Sequence, residues 1–167
     1  MGYMKKNKLI FITLIVLLFQ ILFVESLTIN TIRPDFLVLL IIYTTIINGR
    51  LVGVIMAFIV GLISDFSGVG SYFGLSPLSL SITAYLSGFL YLKYERLLPY
   101  VFHSIWVITI LLHFYIISYF RFQTVYLSDK TEFILIWLMS FGYTLIFIII
   151  MQYFFPLREA SHVKISK

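Results

Sequence analysis

The chain of 167 residues is 61% hydrophobic and only 11% charged, with a mean hydropathy of +1.04. A water-soluble domain of this length cannot bury that much apolar surface, so the solvent must be a bilayer. The formal charge of +5 needs no nucleic-acid partner, because Lys and Arg in a membrane protein mark its cytoplasmic side, and the absence of cysteine excludes disulfides, thiolate metal sites and cysteine nucleophiles together.

Long apolar runs such as Leu9–Val24 and Phe133–Tyr153 lack the period-two alternation of a β-barrel. They predict an all-α integral membrane protein, one polytopic membrane domain over 1–167, built as a six-transmembrane-helix bundle. In chain order the predicted spans are Leu9–Ile29, Pro34–Ile47, Leu51–Phe66, Leu75–Leu92, Leu97–Phe120 and Phe133–Phe155. Lys5–Lys8 followed by the first apolar run has the outline of a signal peptide, but the run is long for one and no A-x-A site follows, so it is read as a retained span. The second and third spans are short against the roughly 20 residues that cross a bilayer core. They either thin the bilayer locally or form a re-entrant hairpin of two half-crossings.

The punctuation supports these divisions. Asn48-Gly49-Arg50 is a tight turn, and Ser67–Gly74 is a glycine-rich loop. Arg33-Pro34 and Ser76-Pro77 place proline in a first helical turn, with Ser76 as an expected N-cap, and Asp35 favours the helix start that follows it. Arg121–Thr131 is the longest loop and the one with room for local structure. Asp129 and Glu132 suit the start of the last helix. Six spans put Lys5, Lys6, Lys8, Arg50, Lys93, Arg96, Arg158, Lys164 and Lys167 on the side of the termini, and Arg33, Arg121 and Lys130 on the other. That bias predicts cytoplasmic termini.

Gly49, Gly53, Ala57, Gly61 and Asp65 recur at steps of four, so they share one helical face. Rows of small residues drive helix association in lipid, which predicts a partner-binding and helix-packing groove on the third span. Ser79, Thr83 and Ser87 form a second row, flanked by Ala84 and Gly88, read as a packing surface matched to that groove. No base stands beside those serines in the sequence. Glu25, Arg33, Asp35, Asp65 and Arg121 all map to the side opposite the termini as a predicted outer polar cluster, in which Arg33 or Arg121 pairs with Asp65; the plainer alternative is a solvated Asp65 at the start of its loop. His103 and His113 lie roughly 15 Å apart along one helix and cannot share a metal. Neither H-E-x-x-H nor G-x-S-x-G occurs, and no cofactor or metal set is expected. No Asp, Glu, Lys or Arg falls in mid-span, which weighs against ion-coupled transport.

The order of these features resembles one family. The Arg33-Pro34-Asp35 entry, the Gly61-Leu62-Ile63-Ser64-Asp65 close of the third span, the loop ending at Gly74 and Ala84-Tyr85-Leu86 resemble the bacterial rod shape-determining protein MreD family. The motif-bearing part is Thr31–Gly88, and the length and six-span layout match over the whole chain. The resemblance implies a fold similar to the S-component, the substrate-binding subunit, of energy-coupling-factor transporters. It also implies a non-enzymatic scaffold in the bacterial inner membrane, working with an MreC-like single-span protein, the MreB filament, RodA and a penicillin-binding transpeptidase. Pro34, Asp35, Gly61, Asp65 and Gly74 are the matching positions, none with a catalytic role. The alternative is a solute-binding subunit of an energy-coupling-factor transporter. Such subunits usually dock through an Ala-x-x-x-Ala face on the first helix, and Leu9–Glu25 contains no alanine.

Overall fold

A computed structural model describes residues 6–67, 72–93 and 96–154. Residues 68–71 of the glycine-rich loop, Tyr94, and the tail from 155 onward with His162 lie outside the described residues. The described residues form α1 (Lys6–Phe23), α2 (Phe36–Asn48), α3 (Arg50–Phe66), α4 (Leu75–Ser87) with a 3-10 turn over Gly88–Leu90, α5 (Pro99–Arg121), α6 (Gln123–Ser128) and α7 (Lys130–Phe154).

Many polar side chains are buried beside the apolar core, while many large apolar ones are exposed. Buried positions include Gln20, Thr44, Thr45, Asn48, Ser64, Asp65, Ser79, Thr83, His113, Ser140 and Thr144. Large apolar side chains such as Phe11, Leu18, Leu51, Phe58, Phe66, Leu135 and Ile149 face outward. An exterior of this kind is stable only against hydrocarbon. Many buried hydroxyls are satisfied within their own helix, each donating to the carbonyl four residues back: Thr13 to Leu9, Thr45 to Ile41, Thr83 to Ser79, Thr109 to Ile105 and Ser140 to Ile136.

α5 and α7 are long and apolar enough to cross a membrane. At 23 and 25 residues they reach roughly 35 Å and 38 Å. The 13-residue α2 reaches only about 20 Å. Its surroundings explain how so short a helix is stable, because ten of its residues are buried and it packs on α1, α3 and α4 rather than on lipid. Its Leu37, Val38, Leu39, Ile41, Ile42 and Ile46 join residues such as Ala57, Val60, Leu80, Phe102, Trp106, Ile110 and Ile148 in the core.

α3 and α4 run antiparallel as the most closely packed pair. Arg50 lies opposite Gly88, Gly61 opposite the backbone of Ser76 and Pro77, and Asp65 opposite Gly74. A Cβ on Gly61 would overlap Pro77 backbone atoms, and one on Gly53 would overlap the Thr45 side chain of α2. Glycine at these positions therefore sets the interhelical distance. At the other end of the crossing, the Arg50 guanidinium lies 4.6 Å and 4.1 Å from the ring centroids of Tyr85 and Phe89.

Two expected boundaries move, and the longest loop uses its room for local structure. The first span was expected to reach Ile29, but α1 stops at Phe23. Val24–Leu27 form a turn, Ile29 and Ile32 exchange backbone hydrogen bonds, and Asn30 takes φ +55, a conformation asparagine tolerates. Ser76 is not the N-cap of α4. Gly74 holds that position at φ +92, which favours glycine, and its N–H donates to Asp65 Oδ2. The Arg121–Thr131 loop contains α6, held by Tyr126 against Tyr119 and Phe133 at 5.3 Å and 5.1 Å between ring centroids.

Two glycines should therefore respond in opposite ways. Gly61→Ala places a methyl against fixed backbone and should cost about 1–3 kcal/mol in unfolding in detergent. Gly142→Ala on α7, where an added Cβ meets nothing within 4 Å, should leave stability unchanged or raise it by up to about 1 kcal/mol through helix propensity. Equal effects would contradict this account of the packing.

Candidate functional site

A helix packed among other helices has little water at its N-terminus, so its first N–H groups find acceptors in the protein. α2 does so at four consecutive residues. Asp35 N–H donates to Thr144 Oγ1 of α7 at 3.2 Å, and Phe36 N–H donates to Gln20 Oε1 of α1 at 2.9 Å. Leu37 and Val38 N–H both donate to Asp35 Oδ1, at 2.9 Å and 3.2 Å, an N-cap in which the carboxylate also opposes the positive end of the helix dipole.

The other carboxylate oxygen reaches α5. His113 Nε2 lies 3.2 Å from Asp35 Oδ2, with the histidine side chain wholly buried and that of Asp35 19% exposed. An ionised carboxylate can only accept, so Nε2 carries the proton. In the neutral ring Nδ1 then accepts from the Ser79 hydroxyl at 2.7 Å. Thr83 Oγ1 sits 3.2 Å from the same nitrogen while donating to the Ser79 carbonyl. Five helices, α1, α2, α4, α5 and α7, meet in this cluster.

The sequence reading gave the serines of α4 no neighbouring base, and the structure corrects this: His113, 34 residues on, is bonded to Ser79. A Ser–His–Asp series results, but with the ring nitrogens exchanged relative to hydrolase triads, where the serine faces Nε2 and the carboxylate Nδ1. Ser79 is fully buried and does not line the adjoining cavity. The geometry orients His113 rather than presenting a nucleophile.

That cavity, about 70 Å³, lies where α1, α3 and α5 finish. Its polar lining is Gln20, Arg33, Asp35, Ser64, Ser76, His113 and Arg121; Val24, Pro34, Leu37, Leu75, Leu80 and Ile117 complete the wall. Arg121 is in the electrostatic field of both Arg33 and Asp35.

The predicted outer cluster therefore divides. Arg33, Asp35 and Arg121 converge on the cavity. Asp65 turns away, its Oδ2 accepting from Gly74 N–H at 2.6 Å, so that it fastens the α3–α4 turn, and the carboxylate brought to the two arginines is Asp35. Glu25 is exposed and outside the cavity lining. The groove of Gly49, Gly53, Ala57, Gly61 and Asp65 is not open to another protein. Gly53, Ala57, Gly61 and Asp65 are buried under α2 and α4 of the same chain, and Gly49 meets the Tyr91 ring. In the second row, Ser79 and Thr83 turn from that groove toward α5, and Ser87 is buried. Ser79 and Thr83 face His113 of α5, while Pro77 and Gly88 of the same segment face α3. His103 accepts from Trp106 Nε1–H at 3.0 Å within α5.

Gln20, Ser64, His113 and Thr144 were not anticipated as site residues. The available signal was His113, an ionisable side chain inside an apolar span. No group of three His, Cys, Asp or Glu side chains able to hold a metal occurs among the described residues.

The class defined by these features is an all-helical membrane protein with a buried polar cluster beside a small charged cavity. A family model described as rod shape-determining protein MreD matches residues 5–158, and the chain belongs to the MreD family. That family is part of the MreBCD shape-determining system. No curated protein and no solved structure matches the chain.

Asp35 and His113 should be energetically coupled. Asp35→Ala removes a helix cap and leaves the buried imidazole without its acceptor. His113→Ala removes the same contact from the other side. In a double-mutant cycle read by unfolding in detergent, the combined loss should fall short of the sum of the single losses by about 0.5–3 kcal/mol. Simple additivity would show that the contact contributes nothing.

Proposed function

We propose that this chain is a six-span, non-enzymatic scaffold subunit of the bacterial cell-elongation complex. It sits as a single membrane domain in the inner membrane with cytoplasmic termini, and its fold is similar to the S-component of energy-coupling-factor transporters. In this reading it couples an MreC-like single-span protein and the MreB filament to peptidoglycan synthesis by RodA and a penicillin-binding transpeptidase. The observation that carries it is the MreD family match over residues 5–158. The basic residues concentrated on the side of the termini support the orientation.

Because α2 and α4 fill the α3 groove, the reading moves the partner's contact to the apolar exterior. Of the described helix glycines, Gly142 on α7 has open space around it, among the exposed Leu138, Met139 and Ile146. Close helix approach in lipid favours such a position.

Loss of the gene from its host should turn rod-shaped cells round, and a plasmid copy should restore them. Cells that keep their rod shape without it would remove the shape-determining role. Tagged chain extracted from native membranes should recover the MreC-like protein. Gly142→Leu should reduce that recovery by about tenfold or more if the helix contact contributes 1.4 kcal/mol or more, with stability retained. Unchanged recovery would place the partner elsewhere.

A further inference from the structure

Arg33, in the α1–α2 connection, and Arg121, at the last residue of α5, line one small cavity and are close enough for their charges to repel. The carboxylate in the same wall, Asp35, is already engaged. One of its oxygens accepts two backbone N–H groups and the other accepts from His113. The cavity wall thus carries two guanidinium groups against one carboxylate, an excess of one positive charge in partly buried surroundings where screening is weak. A guanidinium is a planar fork of five donors shaped for oxyanions, more than one contact uses up. Asp35 disfavours a second negative charge on any occupant. Val24, Leu37, Leu80 and Ile117 give the rest of the wall an apolar character, and the room available exceeds that of a single water.

We propose that this cavity binds a singly charged phosphate group between Arg33 and Arg121. Two sources share that chemistry: the phosphodiester of an anionic phospholipid headgroup and a water-soluble phosphate. The site is distinct from the exterior of α7 and does not depend on any protein partner.

The test uses the full chain. In neutral detergent at constant ionic strength, the melting temperature should rise with inorganic phosphate relative to chloride. Arg33 is half-exposed and outside the helices, so Arg33→Gln should fold and should weaken the half-saturating phosphate by about tenfold or more. Arg33→Lys, which keeps the charge without the fork, should fall between the two. In the second arm, protein from phosphatidylcholine nanodiscs doped with phosphatidylglycerol is examined by native mass spectrometry. Retention of phosphatidylglycerol by the wild type and its loss from Arg33→Gln assigns the site to a lipid headgroup. A phosphate response without lipid retention assigns it to a soluble phosphate. Absence of both responses, or responses of equal size in Arg33→Gln, overturns the proposal.

Discussion

The fold depends on how the first turn of α2 is satisfied among the partly buried ends of several packed helices. Four consecutive N–H groups, from Asp35 to Val38, find acceptors on α1, α7 and the Asp35 side chain itself. An unmet backbone donor in such surroundings costs several kcal/mol, so each of these contacts is required rather than incidental. Because the acceptors come from different helices, satisfying one helix end fixes the relative positions of several. The second oxygen of Asp35 extends the constraint through His113 to Ser79 and Thr83, which adds α4 and α5.

The small residues of α3 solve a different problem. A 13-residue helix cannot cover the core alone, so its neighbours must come close to it. Gly53 lets α3 approach Thr45 of α2, and Gly61 lets it approach the start of α4. The opposite face of α3 carries Leu51, Ile55, Phe58, Ile59 and Ile63, all exposed. Backbone proximity on one side and bulk on the other make α3 the wall between core and lipid. Pro77, at the third residue of α4, fits the same crossing, because the first N–H groups of a helix lack intrahelical partners in any case.

Which parts of this were legible in the sequence follows from how far each signal extends along the chain. α5 and α7 were readable because length and apolarity are local properties, and the place of Asp35 at a helix start because a carboxylate suits the positive end of the dipole; its two capping hydrogen bonds came from the structure. The spacing of Gly53, Ala57 and Gly61 showed that a close approach exists, but spacing carries no information about which helix makes it. Asp65 was read as facing an arginine or as solvated because charges are visible in a sequence, whereas its partner, the Gly74 N–H, is a group every non-proline residue carries. The Asp35–His113 contact joins residues 78 positions apart, and periodicity does not reach that far. The end of α1 was misplaced because Val24, Leu27 and Ile29 continue the hydrophobic run through a turn that Asn30 and the Ile29–Ile32 exchange create.

The Ser79–His113–Asp35 series also shows why three residue types do not define a reaction. A nucleophile must meet its substrate, and Ser79 is enclosed, while His113 and Asp35 do border the cavity. The series therefore has an open end and a closed end. At the closed end the Ser79 hydroxyl has two acceptors within reach, His113 Nδ1 at 2.7 Å and the His113 carbonyl at 3.4 Å, so it can donate to either. At the open end, the carboxylate that caps α2 is the same group that balances the arginines. Any anion drawn to Arg33 and Arg121 consequently acts on Asp35, and through it on the contact that joins five helices. The cavity is small, and Asp35 both borders it and holds the first turn of α2.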